Sequence, residues 1–262
     1  MSFLRTVGQF LGSLIFSFAL GFLILFIALA NFTQYNNLQP LVTSFVEAQL
    51  TKNITQSQLD ALYFNLTEQC KTSTAATVPL SNNPLSLKCE DVKTSSSSNI
   101  SHLISKSIFN QTYYKKYDCN FVACIMQLNV ENVNVQDTQS NQKFEIILSQ
   151  KAYDFFSGNQ IPLVVAIAVG IVLVAVSVRV WYKIFKIIGV TLLLVGITYF
   201  FIPLIKTVVG AKFVGADVTS VIDALFVSIS GALTFCLIAG VALTAIGYIS
   251  AYLLEKPKEK KT

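Results

Sequence analysis

Four stretches of this chain carry no charged side chain over a length that can cross a bilayer. Residues 6–30, 155–178, 187–205 and 224–254 contain no Asp, Glu, Lys, Arg or His. A helix of about 20 apolar residues spans the roughly 30 Å hydrocarbon core of a membrane. Because that core offers no water to backbone groups, an uncharged run of this kind has to be helical. The expected fold is an integral membrane, mainly α protein: a four-transmembrane-helix bundle with a small α+β extracytoplasmic domain inserted between helices 1 and 2. The expected boundaries are helix 1 at 6–30, the domain at 31–158, helix 2 at 159–182 and helix 3 at 184–205. An outer loop follows at 206–223, then helix 4 at 224–254 and a basic cytoplasmic tail at 255–262.

Charge orients these runs. Residues 31–160 hold nine Lys against ten Asp or Glu, and residues 206–223 are neutral, so the formal net charge of +5 lies elsewhere. It comes from Arg5, from Arg179, Lys183 and Lys186, and from the four lysines of the tail set against Glu255 and Glu259. The positive-inside rule places those three segments on the cytoplasmic face. Four crossings also require both termini on one side, which agrees. The basic surplus is therefore a topology signal rather than a footprint for nucleic acid, and the bilayer is the first expected partner, with anionic lipid attracted to the tail. The expected location is the plasma membrane, multi-pass, with residues 31–158 outside.

Ala28-Leu29-Ala30 matches the small-residue pattern of a signal-peptidase site behind Arg5. The run is far longer than a signal h-region of about 7–15 residues, so a retained signal-anchor is expected. Within helix 1, Gly8, Gly12, Ser17 and Gly21 recur at spacings of four or five; helix 4 carries Cys236, Gly240, Thr244 and Gly247. Small residues so spaced let membrane helices approach closely, so these eight are the expected helix-packing positions. Trp181 and Tyr182 are expected at the end of helix 2 in the interfacial aromatic belt, and Pro203 is expected to kink or end helix 3. Helix 4, at about 1.5 Å per residue, is expected to outrun the hydrocarbon core. With no charge at membrane depth, proton relay and ion-coupled transport within one protomer lack their chemical groups.

In the insert, Leu38, Leu41, Val42, Phe45, Val46 and Leu50 recur at helical spacing, as do Leu59, Leu62, Tyr63 and Leu66 behind a Thr55 or Ser57 N-cap. Residues 71–99, rich in Ser, Thr, Asn and Pro, are expected as loop, and Ile100, Leu103, Ile104 and Ile108 restart a helix. Met126, Leu128 and Val130, then Phe144, Ile146 and Leu148, alternate with polar neighbours, which predicts an antiparallel strand pair around residues 137–142.

Four of the five cysteines, Cys70, Cys89, Cys119 and Cys124, fall in the insert. An even number outside the membrane reads as two disulfides, and the spacing lacks the paired C-x-x-C knuckles of a zinc site. Three connectivities are possible; local loop closure favours Cys70–Cys89 with Cys119–Cys124. Sequons at Asn53, Asn65, Asn99 and Asn110 are candidate glycosylation sites, with a fifth at Asn31 close to the membrane.

Catalytic raw material is sparse. His102 is the single imidazole, and Glu47, Asp60, Glu68, Glu90 and Asp91 carry no motif. No catalytic residue, cofactor or metal is expected. Four spans with a large first outer loop resemble claudin-like tetraspan proteins in topology alone, since the single tryptophan is Trp181 and their first loop carries one. Two readings follow. In one, a non-enzymatic membrane protein uses its extracytoplasmic domain for partner or ligand binding or for assembly into an envelope complex. In the other, the chain is a homo-oligomeric membrane pore or channel.

Overall fold

A continuous apolar sequence without an interior proline or charge gives a long helix, and α1 runs from Ser2 to Thr33. The computed structural model describes residues 2–79, 84–130, 145–201, 203 and 216–254. The chain divides into two units, one of Met1–Asn31 with Phe156–Thr262 and the other of Phe32–Phe155. In chain order the second comprises α2 (Tyr35–Asn53), α3 (Gln56–Thr72), β1 (Ala75–Val78), β2 (Leu85–Lys88), α4 (Cys89–Thr94), α5 (Ile100–Tyr113) and α6 (Phe121–Val130). Helix α7 (Gln150–Gly158) leads out of it into α8 (Gln160–Ser177), α9 (Trp181–Ile197) and α10 (Ala216–Leu254).

Among the described residues, four helices are long and apolar enough to cross a membrane: Phe3–Thr33, Gln150–Ser177, Trp181–Phe201 and Ile229–Leu254. At most 28% of the apolar window of any of them is buried. Side chains such as Phe10, Phe18, Val165, Phe235 and Ile238 face outward, each more than half exposed. An outward apolar surface on this scale points to a membrane location.

Within this unit, glycine decides where helices meet. A Cβ on Gly12 would stand 2.9 Å from the Gly170 carbonyl oxygen, and one on Gly170 would stand 2.9 Å from the Phe16 nitrogen, so α1 and α8 pack backbone to backbone. Gly8 faces Ser177 at the same crossing. The α9–α10 pair is tighter. Cβ atoms on Gly189, Gly240 and Gly247 would lie 2.5, 2.6 and 2.9 Å from the backbone nitrogens of Thr244, Leu193 and Lys186. Those matches run in opposite directions along the two helices, which makes them an antiparallel hairpin. Cys236 is buried with Ile24, Val195 and Leu233. Gly21 differs from the other small positions, having nothing within 4 Å of its Cβ position, and with Ser17 it lines an apolar cavity of about 300 Å³. Ser13 Oγ meets Thr191 Oγ1 at 2.9 Å, tying α1 to α9.

Several boundaries differ from those expected. Helix α8 ends at Ser177, and residues 178–180 are the link, with Val178 and Val180 extended. β-Branched residues beside Arg179 favour that conformation, so Trp181 and Tyr182 open α9 rather than close the second span. The second span itself breaks at Asn159, because Pro162 cannot donate to the carbonyl of Gly158, four residues earlier. Helix α9 passes into a 3-10 turn at Thr198–Phe201 just before Pro203. Residues 216–223, expected in the outer loop, belong to α10, whose 39 residues measure about 58 Å. Residues 206–215 and the tail at 255–262 lie outside the described residues.

The insert has its own core. Leu59, Leu66 and Cys70 of α3 pack with Ala76, Val78, Leu85, Leu87, Val92, Ile100 and Ile104. Thr55 precedes α3, and its backbone N–H donates to Gln58 Oε1 at 2.9 Å, half of a capping box. β1 and β2 pair antiparallel with Ala76 opposite Leu87 and Val78 opposite Leu85. This hairpin lies within the segment expected as loop. Its alternation occupies only four residues per strand amid Ser, Thr and Pro, too short to stand out.

The strand pair expected at 126–130 and 144–148 is corrected. Residues 126–130 continue α6, and residues 145–147 form a helical turn. Phe121 and Cys124 are both buried, three apart, and Asn120 Oδ1 accepts the Ala123 N–H at 2.7 Å as an N-cap. Those signals set a helix that five alternating residues could not override. Phe144 and the expected turn at 137–142 lie outside the described residues.

Candidate functional site

The end of α5 is held by an aromatic group. Tyr35 of α2 lies 5.5 Å from Phe109, 5.3 Å from Tyr113 and 5.8 Å from Tyr114, the last pair stacked. The Tyr35 hydroxyl donates to Asn110 Oδ1 at 2.7 Å, and the Tyr113 hydroxyl to the Thr33 carbonyl at 3.2 Å. The Tyr114 N–H still reaches the Asn110 carbonyl at 3.1 Å, after which the chain leaves the helix as Lys115-Lys116-Tyr117-Asp118. Cys119 then bonds Cys124, clamping the far end of this segment to α6. The other pairing joins Cys70 to Cys89 across the hairpin, so the connectivity is the local one. Cys236 is the free cysteine among the described residues.

Residues 114–118 form one wall of a cleft of about 550 Å³, within the range of small-molecule sites. Gln150 and Lys151 in the first turn of α7, with Asp154 one turn on, form the other wall. Ser149 Oγ turns back to the Ile146 carbonyl at 2.6 Å, and its own carbonyl accepts the Ala152 N–H, fixing the start of α7. Phe155 stacks on Phe121 at 4.8 Å, holding α7 to α6. Two polar bridges tie these two segments together. Lys151 Nζ donates to the Tyr117 carbonyl at 2.6 Å, and Lys115 Nζ pairs with Glu145 at 2.7 Å.

Tyr117 sits between these bridges. Its hydroxyl is enclosed and has no hydrogen-bond partner among the described residues. Burial first, then the Glu145 charge, pushes its phenol up to about 12. Burial likewise raises Tyr113 to about 12, with Tyr114 and Asp154 adding to it, and raises Tyr35. The phenols stay neutral, so the sign of the cleft is set by Lys115, Lys116 and Lys151 against Asp118 and Asp154.

The carboxylates considered from sequence are dispersed. Glu47 accepts from Ser101 Oγ at 3.4 Å and stands 3.2 Å from His102 Nδ1. Serine and histidine both face the acid, whereas a nucleophile relay needs the imidazole between the other two. Asp60 pairs with Gln56 and Glu68 with Lys71, while Glu90 and Asp91 stand in the first turn of α4. Among the described residues no group of three His, Cys, Asp or Glu could hold a metal ion. Of the sequons, Asn53, Asn65 and Asn99 are exposed, whereas Asn110 is half-buried with its oxygen bonded to Tyr35.

The cleft was not identified from sequence. The local signal was the run Lys115-Lys116-Tyr117-Asp118 followed by Gln150-Lys151 and Asp154, but about 30 residues separate the two walls and nothing in their pattern pairs them. No protein-family model, curated protein or solved structure matches the chain.

Proposed function

We propose that this chain is a multi-pass protein of the plasma membrane, without catalytic activity of its own, whose inserted unit binds a ligand or partner outside the cell. The observation that carries the binding reading is the charged cleft between residues 114–118 and the start of α7. Both termini are cytoplasmic in this reading, and residues 31–158 are outside. Support for that orientation comes from the basic residues flanking the apolar helices and from two disulfides, which belong to oxidising compartments. The exposed sequons at Asn53, Asn65 and Asn99 are its candidate glycan acceptors. A retained signal-anchor is favoured because α1 continues unbroken past Ala28-Leu29-Ala30 and buries both alanines.

A photo-crosslinking amino acid in place of the exposed Tyr114 tests the reading in intact cells. The expected result is a discrete adduct that Lys116→Glu abolishes while expression and melting stay unchanged. An adduct pattern indifferent to Lys116 rejects the cleft as the binding site.

A homo-oligomeric pore is the second reading, favoured by the open Ser17 and Gly21 groove on α1. Its test is mass in detergent alongside ion flux in proteoliposomes. A monomer without flux removes it.

A further inference from the structure

We infer that the end of the membrane unit where α1 begins is a binding site for a polyanionic phospholipid headgroup, formed by Arg5, Arg179, Lys183 and Lys186. The site belongs to the apolar helices and stands independently of the cleft.

Helix contacts bring the four cations to one level. Gly8 of α1 faces Ser177 at the end of α8, and Gln9 Nε2 donates to the Ser177 carbonyl at 3.2 Å. Arg5 stands one turn beyond Gln9, and Arg179 follows closely on Ser177, so both continue past this crossing. Ser13 Oγ meets Thr191 Oγ1 at 2.9 Å, and Ile24 clusters with Val195, so α1 and α9 run the same way. Arg5 precedes Ser13 by about 12 Å of helix, and Lys183 precedes Thr191 by the same rise. Lys186 follows one turn after Lys183, and its Nζ is held 4.1 Å over the Tyr248 ring of α10.

Among the described residues no carboxylate stands at this end. Those of the membrane unit are Asp217 and Asp223, near the start of α10. Asp223 lies about 36 Å along α10 from Gly247, which packs on the Lys186 backbone. The tail after α10 is itself net basic, four lysines against Glu255 and Glu259. Arg5, Arg179 and Lys183 are exposed and form no ion pair among the described residues. Such a cluster attracts a ligand with several negative charges, and a headgroup bearing an ammonium would meet like charge.

The positive-inside rule accounts for the sign of this charge but not for the side chains that carry it. The chain has 17 lysines and two arginines, and both arginines are here. A guanidinium holds phosphate oxygens with a planar fork of donors, whereas an ammonium acts as a point charge. Chain continuity identifies the source. Only residues 178–180 separate the spans Gln150–Ser177 and Trp181–Phe201, which keeps Arg179 in the headgroup layer. Trp181 and Tyr248, each 55% exposed, stand at the same level and suit an interfacial belt. Basic groups set between membrane helices at this depth favour lipid phosphate over a soluble anion.

The test uses the purified full-length chain in non-ionic detergent, titrated with phosphatidylinositol bisphosphate, cardiolipin, phosphatidylglycerol and phosphatidylcholine and read by native mass spectrometry. The two polyanionic lipids are expected to bind about tenfold more tightly than phosphatidylglycerol, with phosphatidylcholine weakest. Arg5→Gln with Arg179→Gln should lose about thirtyfold in affinity for them, at about fivefold per basic group. The lipid-free melting temperature should not change, because both side chains are exposed. Lys183→Gln alone should lose about fivefold. Arg5→Lys with Arg179→Lys keeps the charge and should still lose about threefold. Lys258→Gln with Lys260→Gln removes the same charge from the tail and should leave affinity within about twofold. Phosphatidylcholine binding as tightly as the polyanionic lipids, full affinity in either arginine variant or in Lys183→Gln, or an equal loss from the tail variant overturns the inference. Inositol trisphosphate binding as tightly as the lipid overturns the lipid source.

Discussion

Removing the Cys70–Cys89 bond is expected to destabilise the inserted unit by about 3 kcal/mol. The bond joins the last turn of α3 to the first residue of α4 across 19 positions, enclosing the β1–β2 hairpin. In the chain-entropy treatment, opening a loop of that length returns about 11 cal/mol/K to the unfolded state, or about 3 kcal/mol at 25 °C. Cys119–Cys124 spans five positions, and the same treatment gives about 2 kcal/mol. For a unit of the size of Phe32–Phe155, 1 kcal/mol moves the midpoint by about 4 °C. Cys70→Ala with Cys89→Ala should therefore lower the melting temperature by about 12 °C, and Cys119→Ala with Cys124→Ala by about 8 °C. Cys70 and Cys89 are both buried, and their truncation adds to the larger loss. Thermal melts of the full-length protein, followed by near-ultraviolet circular dichroism, measure the difference. No loss for the longer loop, or a larger loss for the shorter, refutes the reasoning.

Two further perturbations follow from contacts on the page. Gly240→Ala places a Cβ 2.6 Å from the Leu193 nitrogen, inside the α9–α10 hairpin, and should cost about 1–3 kcal/mol. Gly21→Ala meets nothing within 4 Å and should leave the detergent melting temperature unchanged, so the pair separates packing from helix propensity. Tyr117→Phe removes an enclosed hydroxyl that has no partner among the described residues, and should raise stability by about 1 kcal/mol at neutral pH. Tyr113 and Tyr117 titrate near 12 when folded against 10 when unfolded, so the folded state holds more protons between those values. Stability is then full below pH 10 and falls as pH rises toward 12. The fall should be shallower in Tyr117→Phe, measured as denaturant midpoints across that range.

The four apolar helices were legible because twenty uncharged residues permit little else. Leu59, Leu62, Tyr63 and Leu66 were legible because their spacing is sustained and Thr55 marks the start. Short patterns were not. Met126, Leu128 and Val130 alternate over five residues, which a helix tolerates, while Ala76, Val78, Leu85 and Leu87 alternate over four and do form strands. What separates the two cases is tertiary: the Asn120 cap and the Phe121–Phe155 stack in one, the Cys70–Cys89 bond and the Leu66 core in the other. The cleft was invisible for the same reason. Lys151 reaches Tyr117 across 34 residues, and Lys115 reaches Glu145 across 30, distances over which sequence periodicity carries no information.

Orientation of the insert decides whether a binding cleft faces the exterior. In a Cys236→Ser background, single cysteines are placed at the exposed positions Lys93 and Lys183 and exposed to a membrane-impermeant maleimide on intact cells. Lys93→Cys should be labelled at once and Lys183→Cys only after permeabilisation. Labelling of Lys183→Cys on intact cells, with Lys93→Cys protected, would contradict the topology and with it an extracellular binding role.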